Sequence, residues 1–197
     1  PLSNIVFMGM GEPLMNYKNL MGSIAKITQP NGLGMSPSRI TISTSGIPKM
    51  IMKLADENVK FGLAVSLHSA RQEVREQLMP FAEKFPLTDL VDSLKYWFNA
   101  TSSLVTYEYV VWKDINDKQE DIDALVKFCM HVPCKVNLIE YNPIGDDTFK
   151  QADITQVEKY QKALERARIT ATIRRSRGKD IDAACGQLAN KTDGLSS

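Results

Sequence analysis

Short apolar runs alternate with longer stretches in which apolar residues recur every three to four positions. Asn4 to Met8 predicts a short buried strand, broken sharply at Gly9-Met10-Gly11-Glu12-Pro13. Leu20, Met21, Ile24 and Ile27 fall on one face of a helix. Pro30, Gly32, Gly34 and Pro37 mark a long turn. Arg39 to Ile42 is β-branched enough to predict a second strand. It runs into Ser43-Thr44-Ser45-Gly46, and Pro48 suits the first turn of a helix that directs Met50, Ile51 and Leu54 inward. Phe61 to Leu67 predicts the third strand, followed by a charged stretch with Arg71, Glu73, Arg75 and Glu76. Leu87, Leu90, Val91, Leu94, Trp97 and Phe98 form a helical stripe before a fourth strand at Val105 to Trp112. Ile122, Leu125, Val126 and Cys129 mark a helix, and Lys135 to Tyr141 a fifth strand ending in Asn142-Pro143. Thr155 and Glu158 predict a capping box for a helix packed through Val157, Tyr160, Leu164 and Ala167. Ile169 to Ile173 predicts a sixth strand.

Strand and helix alternate throughout, with no two-residue hairpin signal between strands. That is the pattern of βα units and a parallel sheet. No second composition regime and no tandem repeat interrupts it, so one domain is expected over residues 1–190, with 191–197 as a loose polar tail. A chain of 197 residues, 43% hydrophobic and 24% charged, can bury one sizeable core. No apolar run approaches a membrane span. The start at Pro1 has neither an initiator Met nor the basic leader of a signal peptide, and is expected for an excised domain. Three cysteines, Cys129, Cys134 and Cys185, without a secretory leader suit a reducing cytoplasm. The net charge of +1 does not by itself advertise a nucleic-acid partner. The run Arg174-Arg175-Ser176-Arg177-Gly178-Lys179 is either a solvated turn or a phosphate-contacting patch.

Candidate chemistry gathers at strand ends. Gly9 to Glu12, Ser43 to Gly46, Ser66-Leu67-His68 and Asn142-Pro143 all follow predicted strands. In a parallel α/β sheet those ends share one rim, where ligands bind. Gly11 allows a ligand to approach main-chain N–H groups, and Glu12 is either a grip for an ammonium group or a solvated turn residue. Ser43 and Ser45 could bond a carboxylate or ribose, or cap the next helix. His68 could be an acid, a base, a ligand or a rim-orienting donor. Asn142 suits a purine or ribose edge, or simply starts a turn. Cys185 has small neighbours and a basic run upstream that would favour a thiolate, against the inert buried thiol that a free cysteine more often is. Cys129 fits an apolar helix position, and no His/Cys grouping supports a metal site within the chain.

These residues carry a family resemblance. Gly9-Met10-Gly11-Glu12-Pro13-Leu14-Met15-Asn16 resembles the glycine-glutamate-proline motif of radical S-adenosylmethionine (SAM) enzymes. Ile40 to Gly46, Ser66 to Ser69 and Val136 to Pro143 add to it in collinear order. Asp180-Ile181-Asp182-Ala183-Ala184-Cys185-Gly186-Gln187-Leu188 narrows the resemblance to the RlmN/Cfr family of radical-SAM RNA adenine methyltransferases. The resemblance implies a partial parallel (β/α) barrel of the radical-SAM type, lacking its first strand and cluster loop. It implies that Gly11, Glu12, Ser43, Ser66, Leu67, His68 and Asn142 contact SAM. It implies that Cys185 accepts a methyl group from one SAM, that a second is split at a [4Fe–4S] cluster, and that the activated methyl adds to an adenine carbon. RNA, ribosomal with transfer RNA as a further candidate, and an electron donor are the implied partners.

The family's C-x₃-C-x₂-C cluster motif is absent from this sequence. The expectation is a C-terminal piece of a C2-adenine methyltransferase, inert alone. Pro13 favours the C2 branch over C8. Two other classes stay open: a non-catalytic adenosine- or RNA-binding module, and an unrelated phosphate-binding barrel enzyme that would leave the Cys185 segment unexplained.

Overall fold

The computed structural model describes residues 2–9, 11–141 and 149–174. Six strands form one parallel sheet in the order β1 to β6: Ile5–Phe7, Ile40–Thr44, Gly62–Ser66, Val105–Val111, Cys134–Glu140 and Thr170–Arg174. Helices α1 to α6 span Tyr17–Thr28, Pro48–Asp56, Gln72–Leu78, Leu87–Thr101, Gln119–Cys129 and Ile154–Arg166. Each strand pairs with its sequence neighbour, as single-step βα connections require. Among the described residues β1 and β6 each have one partner strand, so the sheet does not close on itself. The architecture is an open, partial (β/α) barrel.

Local chemistry explains several boundaries. Pro48 opens α2, where its fixed φ is already helical and its missing N–H costs no bond. Ser102 ends α4 in the left-handed conformation at φ 53°, donating its N–H to the Phe98 carbonyl. Ile40, Ile42, Leu63 and Val65 of the sheet are fully buried with Ile51, Leu54, Leu90, Leu94 and Trp97 of the covering helices. Side-chain alternation then sorts the two faces. The Tyr107 ring meets Phe128 of α5 at 5.4 Å and the Tyr109 ring meets Tyr160 of α6 at 5.4 Å. The intervening Thr106, Glu108 and Val110 therefore face the other, concave side. Strand register extends that side into two rows: Ser43, Ala64, Thr106, Lys135 and Thr170, then Ser66, Glu108, Asn137 and Thr172.

The six expected strands are present, with ends shifted by one or two residues. The expected capping box at α6 is not. That helix begins at Ile154 after Asp153, which makes no side-chain cap bond, so Thr155 already lies inside the first turn. The Asp153 carbonyl instead takes the Gln156 and Val157 N–H groups. The charged stretch after β3 folds as α3, a short helix that buries Val74 and Arg75. No described helix is long and apolar enough to cross a membrane. The basic run beyond Arg174 and the 191–197 tail lie outside the described residues.

Candidate active site on the strand-end rim

Glu12 ends the break after β1 and caps a short 3₁₀ turn at Pro13–Asn16. Its carboxylate accepts four hydrogen bonds. Oε1 receives Leu14 N–H at 2.9 Å and the Thr44 hydroxyl at 2.9 Å. Oε2 receives Ser45 N–H at 2.7 Å and the Ser45 hydroxyl at 2.6 Å. All four donors are neutral, so they fix the carboxylate without cancelling its charge. No cation pairs with it among the described residues. A cavity of about 320 Å³ lies beside it, lined by Phe7, Gly9, Gly11, Glu12, Pro13 and Asn16. Gly11 sits at φ +83° with open space where a Cβ would stand, so the wall there is bare backbone. Glu12 is thus neither a solvated turn residue nor a neutralised one. It is a positioned anion beside a hollow, and an ammonium group suits that donor set.

The loop after β2 is held from behind. Thr44 Oγ1 accepts Gly46 N–H at 3.0 Å while donating to Glu12. Gly46 is at φ +97°, and a Cβ there would stand 3.1 Å from Leu90 Cδ1. Arg75 reaches from α3 to donate Nη2 to the Ser45 carbonyl at 2.6 Å. Its side chain is 1% exposed, and Nε and Nη1 have no partner. Burial pushes its pKa down to about 10, which still leaves it charged at neutral pH. The serines do not cap α2, because Ile47 occupies that position without a side-chain bond. Ser45 binds Glu12 instead, and buried Ser43 lies in the concave row.

At the end of β3, Ser66 pairs in register with Glu108 of β4. The Leu67 side chain is wholly in the core, its N–H donates to the Glu108 carbonyl at 3.0 Å, and its carbonyl takes Ser69 N–H at 2.7 Å. Leu67 therefore offers the rim main-chain atoms alone. His68 adopts φ +57°, unusual for a residue with a Cβ. Its Nδ1 accepts Val110 N–H at 3.2 Å, which assigns the ring proton to Nε2. Burial, reinforced by the charge of Arg75, lowers its pKa to about 4, so the ring is neutral at pH 7. Its Nδ1 is an acceptor in this network, which leaves Nε2–H as its donor, and its edge meets Trp112 at 5.5 Å.

Four further residues complete this side. Asn116, fully buried in the turn after β4, bonds His68, Val110 and Trp112 through its side chain. Glu108 is 4% exposed, accepts Asn137 Nδ2 at 2.9 Å, and faces Arg174 Nη1 at 3.4 Å. Asn142 and Cys185 lie outside the described residues.

The [4Fe–4S] group does not fit the described residues. No cluster of three or more His, Cys, Asp or Glu could hold a metal among them. Cys129 ends α5 and Cys134 starts β5, at the strand end opposite the rim. Cys134 Sγ turns to the Cys129 carbonyl at 3.5 Å, and its partnership with burial holds the Cys129 thiol far from ionising.

No protein-family model matches the sequence. Among curated proteins, the chain is 70% identical over 192 residues to "Probable dual-specificity RNA methyltransferase RlmN" of Christiangramia forsetii, covering 98% of the chain and 54% of that protein. It is 66% identical over 191 residues to the protein of the same name from Flavobacterium psychrophilum, covering 97% and 55%. Among solved structures, a radical SAM methyltransferase from Sphaerobacter thermophilus superposes with a TM-score of 0.91 at 36% identity, covering 94% of this chain and 55% of that one. A domain of pyruvate-formate lyase-activating enzyme from Bacteroides vulgatus, at 16% identity and a TM-score of 0.68 over 88% of this chain and all of that domain, shares the fold alone. The chain spans about half the length of the curated relatives it matches. Nearly the whole chain is thus similar to about half of proteins named RlmN, and its fold to about half of a radical SAM methyltransferase.

Proposed function

We propose that this chain is the cofactor-holding part of a longer enzyme that methylates C2 of an adenine in RNA, ribosomal and also transfer RNA, with Cys185 as methyl carrier. The observation that carries this reading is the Glu12 carboxylate, fixed by Leu14, Thr44 and Ser45 beside a hollow with a bare glycine wall. Glu12 would take the ammonium of SAM, and Gly11 would let the methionine portion lie against backbone. Ser43 and Ser66 present hydroxyls on the concave side, and Leu67 presents main-chain groups. His68 offers Nε2–H, and Asn142 is assigned the adenine edge. Bound SAM supplies the methyl group and the radical chemistry; the protein orients it and keeps the thiol and base within reach. Adenine C2 is electron-poor, so polar transfer from a sulfonium fails there and a carbon-centred route is required. The base must also be presented outside a helical stack.

Cluster ligation needs thiolates that the described residues do not provide, so the ligands are assigned to sequence outside this stretch. An electron donor would serve that part, and the reaction suits the cytoplasm. The names of the relatives, dual-specificity RNA methyltransferases, support RNA as the substrate class. Pro13 favours C2 over C8.

The test uses the longer natural protein, reduced anaerobically with SAM and RNA. Mass spectrometry should find 2-methyladenine in the RNA and a single methyl on the Cys185 peptide, with no product from the 197-residue chain alone. Product from a Cys185→Ala variant, 8-methyladenine, or RNA binding without methylation would each overturn the reading in its present form.

A further inference from the structure

Asn116 is 0% exposed, and its polar atoms are fully engaged. Nδ2 donates to the His68 carbonyl at 2.7 Å and to the Val110 carbonyl at 2.9 Å. Oδ1 accepts Trp112 N–H at 2.7 Å. Its main-chain carbonyl accepts the Tyr160 hydroxyl at 2.6 Å. The side chain thus spans the ends of β3 and β4, with its two donors and its acceptor all matched. His68 is fixed three times over: its N–H leans on the Glu108 carbonyl at 3.4 Å, its carbonyl on Asn116, and its ring on Val110 N–H. Those contacts hold a left-handed backbone at φ +57° that a non-glycine residue otherwise avoids.

We infer that Asn116 is a positioning residue: its amide fixes the His68 main chain, and through it the His68 Nε2–H, at the cofactor rim. The inference rests on the proposal that this rim binds SAM. An amide is required here because the site needs two donors and one acceptor with no net charge. Leucine offers no such pattern. Ionised aspartate would set a second negative oxygen against two carbonyls.

That last point gives a test a purely structural role would not pass. In the Asn116→Asp variant the protonated carboxyl can still donate to one carbonyl and accept from Trp112. The ionised form repels both carbonyls, and burial raises its pKa. His68 and Tyr160 bond it directly, and the charged or titratable groups acting on those two and their neighbours are Arg75, Tyr109, Asp117, Asp121 and Arg71. All are present in both proteins, so the wild type run at each pH removes their contribution.

SAM affinity is measured by calorimetry on the longer protein, at temperatures where circular dichroism shows the native fold. Asn116→Asp should match wild type within a few-fold at low pH and weaken about tenfold or more as pH rises. Tyr160→Phe loses the bond to the Asn116 main chain and the longer one to the Tyr109 hydroxyl, but leaves the Asn116 amide bonds in place, so it should lower the melting temperature and leave affinity unchanged. If Asn116→Ala folds, it should bind about tenfold more weakly at every pH. An Asn116→Asp profile parallel to wild type, or an Asn116→Ala protein with unchanged affinity, overturns the inference while leaving the rim as a SAM site. No binding by wild type overturns the rim reading and, with it, this inference.

Discussion

The two sides of the rim are built on opposite principles. The β1–β2 side is organised around a charge: Glu12, gripped by Thr44 and Ser45, with buried Arg75 behind the loop. The β3–β4 side is organised around a neutral amide and a neutral imidazole, Asn116 and His68. Donors on the first side converge on an anion and leave its charge available. On the second side they cancel, and Glu108 is met by Asn137 and Arg174, leaving geometry and one N–H. A zwitterionic ligand with an aromatic base needs both kinds of surface. A charged end demands a fixed counter-charge, while a polar neutral end is oriented best by groups that do not themselves attract water or protons.

The largest expected effect breaks the charged side. Glu12→Gln keeps the shape but replaces one acceptor oxygen by a donor facing the Ser45 or Thr44 donors. SAM affinity should fall roughly tenfold to a hundredfold by calorimetry, since bonds to charged groups contribute about 1.5–3 kcal/mol. An unchanged affinity would mean that the two sides do not differ as described.

The next prediction tests the neutral side through pH. The folded protein holds His68 near pKa 4, while the unfolded chain titrates near 6.5. Between those values the unfolded state binds more protons, so stability falls as pH drops through this window and flattens below it. The His68 contribution is roughly 3–3.5 kcal/mol at most. Urea titrations from pH 7 to pH 4 should show a shallower decline for His68→Asn, in which Asn tolerates the left-handed backbone. Equal slopes would contradict a neutral, enclosed His68.

Gly46→Ala should cost about 1–3 kcal/mol, from its positive φ and the approach to Leu90. The loss should be visible in the melting temperature, with a smaller loss in SAM affinity as Ser45 shifts. Arg75→Met is expected to be mildest in stability, within about 1 kcal/mol of wild type. It removes a buried cation with two unpartnered nitrogens as well as one good bond. It should also raise the His68 pKa toward its ordinary value, observable by NMR titration, because the Arg75 charge contributes to the depression.

Much of this rim was legible in the sequence because its signals are local. β-branched runs that stop at glycine, serine or asparagine show where strands end, and parallel topology gathers those ends. Glu12, Ser43 and His68 could be named on that ground. Their partners could not. Arg75 lies in a charged stretch that looks solvated, and only the packing of α3 on the β2 loop buries it. Thr44 belongs to a serine-rich turn in the sequence, but its bond to Glu12 crosses 32 positions. Asn116 did leave a trace: Asp114-Ile115-Asn116-Asp117 is a polar turn after β4, at the strand end equivalent to the others. Glu108 left another, as an acid inside an otherwise apolar strand, a position that demands a partner once buried. The α6 capping box was expected on spacing alone, and failed because the helix started one residue before Thr155.

The most direct test of the central claim is a crystal structure of the longer protein with SAM bound. The SAM ammonium should lie within hydrogen-bond distance of the Glu12 carboxylate, its methionine chain against Gly11, and its nucleoside on the side of Ser66 and His68. SAM bound away from this rim, or at the rim with its ammonium turned from Glu12, would contradict the account.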